Sequence, residues 1–165
     1  MKFSSKQSHI LQQFQHFEAH AFHPAALISN YLAILKDQMP LFWAGIYEVG
    51  QKNTHQLYLS IYQGGLACQE ITVGKGVCGQ VAALGKAMRI DDVQKLSNYI
   101  ACHPEPRAEL VLPGFVNGQL SFVLDLDSVE IGFFSANDQA FLGQYLMPFF
   151  ERAMAKLRQA YVANH

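Results

Sequence analysis

The sequence predicts an α+β fold in which an antiparallel β-sheet is flanked by helices, and three observations carry that reading. Apolar residues recur at helical spacing near both ends of the chain, the period shortens to that of strands between them, and the intervening turn signals are short enough for hairpins. Helices gathered at the ends of a run of hairpin-linked strands give a layered sandwich rather than alternating βαβ units. At 165 residues a single domain is expected, large enough to bury about 70% of its unfolded surface. Residues 1–39 form N-terminal helices packing on it, and residues 40–165 hold the sheet, the loops of the site and a C-terminal helix.

Residues 6–21 read as an amphipathic helix, with Ile10, Leu11, Phe14 and Phe17 at helical spacing. Pro24 disfavours helical geometry at His23 and suits the first turn of a second helix. That helix puts Leu27, Ile28, Tyr31, Leu32 and Leu35 on one face and stops before Pro40. From Leu41 to Val49 the chain becomes strand-like, Gly50–Asn53 turns it, and residues 56–63 alternate with Leu57, Leu59 and Ile61 on one side. Residues 70–73 read as a short strand, Val77–Leu84 as a short helix closed by Gly85, and residues 87–90 as a brief strand. Asp91–Glu105 is a polar loop holding Cys102. Asn117-Gly118 is the strongest hairpin signal in the chain, joining strands at 109–116 and 119–126. Ser135 or Asn137 caps a last helix running towards Tyr161 with Phe141, Leu142, Tyr145, Phe149 and Met154 along it.

Composition narrows the function. Half the residues are hydrophobic, 15% are charged and 12 are Phe, which excludes a disordered chain. Twelve Lys and Arg against thirteen Asp and Glu leave a net charge of −1, so no electrostatic footprint for nucleic acid is present. No apolar run approaches the roughly 18 residues of a membrane span. The first residues lack a signal-peptide core, so a cytoplasmic protein is expected. Cys68, Cys78 and Cys102 are odd in number and lie ten and twenty-four positions apart, which suits neither a disulfide framework nor a zinc site.

The three thiols are the first candidates for chemistry. Cys102 lies beside His103, whose cationic form would stabilise a thiolate, the reactive species. Cys68 follows Gln63-Gly64-Gly65, where the chain changes direction, and Cys78 sits among Val and Ala in the short helix, as a packed thiol would. An inert core thiol is the alternative for each. Asp125 and Asp127 stand two positions apart on a strand and so face one side, and Glu109 opens the preceding strand. Close carboxylates in an apolar setting retain a proton at neutral pH and can donate it; the alternative is that Asp127-Ser128 is a turn and Glu109 is solvated. His16, His20 and His23 have helical spacing, but only Glu18 is near as an acidic ligand, so surface or packing roles are favoured over a metal. The glycines of Gly74-Lys75-Gly76-Val77-Cys78-Gly79 lack phosphate-loop spacing and fit a tight helix start.

Five blocks, Trp43–Tyr47, Gln63–Cys68, Gly74–Gly79, Ile100–Cys102 and Val123–Ser128, together resemble the free methionine-(R)-sulfoxide reductases, which are single-domain GAF proteins. The likeness runs from about residue 24 to 150, with all three cysteines at the family's spacing. It implies reduction of the R-epimer of free methionine sulfoxide, with no bound cofactor or metal. Cys102 would attack the sulfoxide sulfur, Cys68 would condense with the resulting sulfenic acid, and thioredoxin would reduce the disulfide. Cys78 is the rival nucleophile. Glu109, Asp125 and Asp127 match the family's acidic substrate-binding positions, and Trp43 and Tyr47 would enclose the ε-methyl group. Backbone amides around Cys102 would bind the substrate carboxylate. A homodimer is implied by the resemblance alone.

The chain departs from the family after Cys102, where His103-Pro104-Glu105-Pro106-Arg107-Ala108 replaces the usual Asp-Ser and small polar residues, and at Leu96–Tyr99, which lacks the usual Pro-Gly-His. Two other functions compete. A GAF sensor needs no redox cysteines and normally sits beside an effector domain, for which the chain has no room; a reductase of peptide methionine sulfoxide would normally use another fold.

Overall fold

The computed structural model describes residues 4–97 and 102–163. Ser4 opens α1 (Ser5–Ala19) with a reciprocal capping box: its Oγ accepts from Gln7 N and its N–H donates to Gln7 Oε1, both at 3.1 Å. In α2 (Pro24–Gln38) the proline occupies the first turn and the His23 ring accepts from Ala25 N at 3.3 Å. His23 is therefore a helix cap, and Glu18 makes a bidentate pair with Arg152 at 2.7 and 3.0 Å. His16, His20 and His23 thus do not converge on a carboxylate.

Six antiparallel strands follow: β1 (Trp43–Val49), β2 (Gln56–Gln63), β3 (Glu70–Thr72), β4 (Met88–Ile90), β5 (Ala108–Val116) and β6 (Gln119–Ser128), in the sheet order β3-β2-β1-β6-β5-β4. Asn117 (φ 53°) and Gly118 (φ 75°) make the expected tight turn between β5 and β6, both in the left-handed region that such a hairpin requires. Two strand ends differ from the sequence reading by two residues, and the others agree within one. β1 begins at Trp43 rather than Leu41, and β6 runs on to Ser128, so Asp127 and Ser128 are strand residues paired with Glu109 and Ala108 rather than a turn. Helix α3 (Gly76–Leu84) lies between β3 and β4 and is closed by Gly85 at φ 62°, as a left-handed C-terminal residue should be.

The last helix is not the uninterrupted α-helix expected. Ser135, not Asn137, caps α4 (Ala136–Phe141) in a second capping box with Asp138; a π-helical turn spans Leu142–Leu146, and α5 (Met147–Ala163) follows. The reason lies in the apolar spacing. Phe141 and Leu146, like Leu142 and Met147, are five positions apart, and all four are buried. At 3.6 residues per turn a five-residue step falls about 140° off one face, whereas i→i+5 bonding stacks such residues together.

The two faces of the sheet have different partners. Ala44, Ile46, Leu110, Leu112, Phe122, Leu124 and Leu126 face α2 and α5, with α1 packed on α2 and completing the same core. At the centre of that layer Phe14 stacks on Tyr31 with centroids 4.2 Å apart, and Phe150 meets both edge-on. The alternate residues Trp43, Tyr47, Val111 and Val123 face the other way, under Val77, Cys78 and Val81 of α3. That second, smaller layer is where the candidate residues collect.

Candidate active site

Strand alternation puts the site's polar groups on one face in two cross-strand rows. Trp43 pairs with Asp127 and Asp127 with Glu109; one step along, Gly45 pairs with Asp125 and Asp125 with Val111. Helix α3 closes over these rows and brings Cys78 to Asp125, to which the thiol is hydrogen-bonded. Between the sheet, α3 and the residues around Cys102 lies a cleft of about 530 Å³, its mouth included, in the range of small-molecule sites. Trp43, Tyr47, Cys78, Cys102, Glu109, Asp125 and Asp127 all line it. Cys68 does not; it meets the site through a disulfide to Cys102, with Cα atoms 5.2 Å apart. It sits in the segment 64–69 linking β2 to β3, beyond the strand end. Ile100 and Ala101, with the amides expected to hold a carboxylate, lie outside the described residues.

Glycines decide where Trp43 can be. A Cβ on Gly45 would stand 2.1 Å from Trp43 Cη2, and one on Gly64 would stand 2.6 Å from its Cδ1. Gly64 also has φ 136°, which an L side chain rarely adopts. The indole therefore lies flat in a seat that any larger residue would fill. Its Nε1–H donates to Gly65 O at 3.3 Å and its ring stacks on Tyr62, while Tyr47 donates its hydroxyl to Cys68 O at 3.0 Å. Sequence reading missed this seat; glycine two positions from a strand tryptophan, on the same face, is the signal that marks it.

The three carboxyl groups are held towards their neutral forms. Burial pushes Asp125 from 3.8 up to about 7, against the opposing pull of the Cys78 hydrogen bond. Burial first, then the charges of Asp125 and Asp127, raises Glu109 well above the ordinary carboxylate range; burial and then Asp125 do the same for Asp127. Glu109 is only 6% exposed and Asp125 7%, so the solvated alternative for Glu109 fails. One oxygen of each, Glu109 Oε2 and Asp125 Oδ1, has no hydrogen-bond partner among the described residues. Burial likewise raises the Cys78 thiol, reinforced by Asp125 and Glu109, which disfavours its thiolate form. Cys78, Glu109 and Asp125 place one donor atom each within 4.8 Å of one another. A cation there would have to displace the protons that this environment holds in place.

Two further features frame Cys102. His103 is partly exposed: its side chain keeps 34% of its surface, its ring lies 4.9 Å from that of Phe42, and its Nδ1 lies 3.8 Å from Glu105. The base of the loop is clamped where Arg107 makes a bidentate pair with Asp92, both oxygens at 3.2 Å. The backbone closes the same point, with Val93 N donating to Arg107 O at 2.7 Å and Arg107 N donating to Ser128 O at 2.8 Å. Nothing local in the sequence announces this pair, whose members lie fifteen positions apart.

No family model matches this chain. It is 38% identical over 120 residues to the free methionine-R-sulfoxide reductase of Escherichia coli (strain K12), spanning 72% of this chain and 71% of that one. The chain belongs to the free methionine-R-sulfoxide reductase family. A solved free methionine-R-sulfoxide reductase from Neisseria meningitidis, in complex with its substrate, matches it with a TM-score of 0.86 and 34% identity, covering 97% of this chain and 96% of that one. GAF domain-containing protein A of Dictyostelium discoideum is 38% identical over 121 residues, 73% of this chain and 75% of that protein. The six-stranded sheet with its helices is accordingly a GAF fold, as the resemblance implied.

Proposed function

We propose that this chain reduces free methionine (R)-sulfoxide to methionine by cysteine chemistry. The observation that carries the reading is a disulfide, Cys68–Cys102, at the wall of a cleft floored by three neutral-leaning carboxyl groups. A sulfoxide oxygen leaves sulfur only when it is protonated or strongly hydrogen-bonded, and Glu109, Asp125 and Asp127 are the donors for it. The Cys102 thiolate attacks the sulfoxide sulfur; the oxygen passes to Cys102, which becomes a sulfenic acid, and methionine departs. The Cys68 thiolate then attacks Cys102 Sγ, the S–O bond breaks, and the hydroxide leaves as water with a proton from the site. Cys78, protonated and hydrogen-bonded to Asp125, orients that carboxyl rather than attacking.

Trp43 and Tyr47 enclose the methyl group. The first turn of α3 lines the cleft without a side-chain cap, so its amides are donors suited to the carboxylate of a free amino acid. The electrons come from an external dithiol protein such as thioredoxin rather than a resident cofactor. The protein works in the cytoplasm as a homodimer, with residues 1–165 as one GAF unit. No helix of the described residues is long and apolar enough to cross a membrane.

The test is a Cys102→Ser variant. It is expected to bind free methionine (R)-sulfoxide and release no methionine. Release at the wild-type rate would remove Cys102 as nucleophile. Binding by a wild type that turns over neither epimer would return the chain to the GAF sensors.

A further inference from the structure

We infer that Tyr47 is a positioning residue for the second half of the reaction: its hydroxyl holds the backbone at Cys68 so that this thiol closes on the Cys102 sulfenic acid. The inference rests on the function proposed above and assigns Tyr47 a task distinct from enclosing the substrate.

Among the described residues, segment 64–69 is held apart from its disulfide by few contacts. Its residue Leu66 is 83% exposed, and only the small side chains of Ala67 and Cys68 pack against the second core layer. Three hydrogen bonds tie its carbonyl groups to the sheet: Trp43 Nε1 to Gly65 O at 3.3 Å, Tyr47 Oη to Cys68 O at 3.0 Å, and Leu59 N to Gln69 O at 2.9 Å. Only the second reaches Cys68 itself. Tyr47 is 2% exposed and held in the middle of the sheet between β2 and β6, so its hydroxyl is a rigid peg. Burial, followed by the charges of Asp125 and Cys78, pushes its pKa upward, which keeps the hydroxyl a donor.

This matters because the disulfide is absent when it has to form. In the reduced protein no covalent bond keeps the Cys68 and Cys102 Cα atoms near the 5.2 Å seen here, and disulfide closure tolerates little departure from such a separation. The Cys68 thiolate must reach Cys102 Sγ, form the S–S bond and expel hydroxide, which leaves as water. No other oxidant or reductant enters that step. A tether on the Cys68 carbonyl raises the local concentration of the thiol without touching the sulfoxide.

The experiment is Tyr47→Phe, which keeps the ring that walls the cleft and removes the hydroxyl. In a single turnover with free methionine (R)-sulfoxide, the rate of the first methionine is the internal reference for each protein, because Tyr47 also walls the cleft, and closure is read relative to it. Disulfide closure should slow by about tenfold, the scale of one lost hydrogen bond, and dimedone should trap Cys102 sulfenic acid that the wild type does not accumulate. A second readout needs no substrate: in a glutathione redox buffer, the Cys68–Cys102 equilibrium should shift about tenfold towards the dithiol. Slowed methionine release with unchanged closure, or an unchanged glutathione equilibrium, overturns the inference. If the wild type releases no methionine, the proposed function fails, and the glutathione equilibrium still decides whether Tyr47 positions Cys68.

Discussion

Asp125→Asn should make the protein more stable at neutral pH, and by an amount that grows with pH. The rise of the Asp125 pKa from 3.8 to about 7 corresponds to about 4 kcal/mol at 1.36 kcal/mol per tenfold change. Between those two values the folded protein holds a proton that the unfolded chain has released. Stability therefore falls as pH rises through this window, by at most about 1.4 kcal/mol per pH unit from this group, and levels off above it. Asparagine has the same shape and no proton to lose, so this slope disappears. Removing the charge also relieves Glu109, and Asp127 as well, since both are raised partly by Asp125. The assay is urea unfolding of the oxidised protein at pH 4, 5, 6, 7 and 8, so that the disulfide is common to both forms. The variant should gain on the wild type by up to about 4 kcal/mol between pH 4 and pH 8, while its turnover falls. A constant difference across the range would refute the claim that Asp125 is protonated in the folded state.

Three further outcomes follow from the same geometry. Gly45→Ala drives a Cβ into the Trp43 ring, 2.1 Å from Cη2, and should raise KM by about tenfold at a stability cost of about 1–3 kcal/mol; steady-state kinetics and urea melts read both. Cys68→Ser should release about one methionine per site and then stop with thioredoxin, because the Cys102 sulfenic acid has no partner thiol; a small dithiol should restore turnover, which chromatography of the methionine formed will show. Phe150→Ala empties the aromatic layer beneath the sheet's other face and should cost about 3–5 kcal/mol in chemical denaturation, with the kcat of the folded fraction unchanged.

Much of the fold is written locally. Asn117-Gly118 and Gly85 after the short helix each fix a terminus by backbone chemistry, and the Ser4–Gln7 capping box, passed over in reading the first helix from residue 6, is equally local. The π-turn at Leu142–Leu146 was legible only in hindsight, because a five-residue apolar step looks like noise until the core face is known. Alternation shows that Glu109 points away from Ala108 and Leu110, but not whether water or a cleft lies there; burial by α3 and the Cys102 loop settles it. The pairing of Cys68 with Cys102 had no local signature and entered through the family resemblance. The Asp92–Arg107 clamp and the glycine seat of Trp43 depend on segments that meet only in the folded chain. The residue run after Cys102 departs from the family, yet His103 still lines the cleft and Arg107 still closes the base of the loop.

This chain is expected to remove oxygen from one epimer of free methionine sulfoxide through Cys102 and Cys68. The direct measurement is to incubate the reduced protein with racemic free methionine sulfoxide, resolve the remaining epimers by chromatography and map the cysteines by mass spectrometry. The R-epimer should disappear, the S-epimer should persist, and a Cys68–Cys102 disulfide should form in step with methionine. Persistence of both epimers while all three cysteines stay reduced would rule this reaction out.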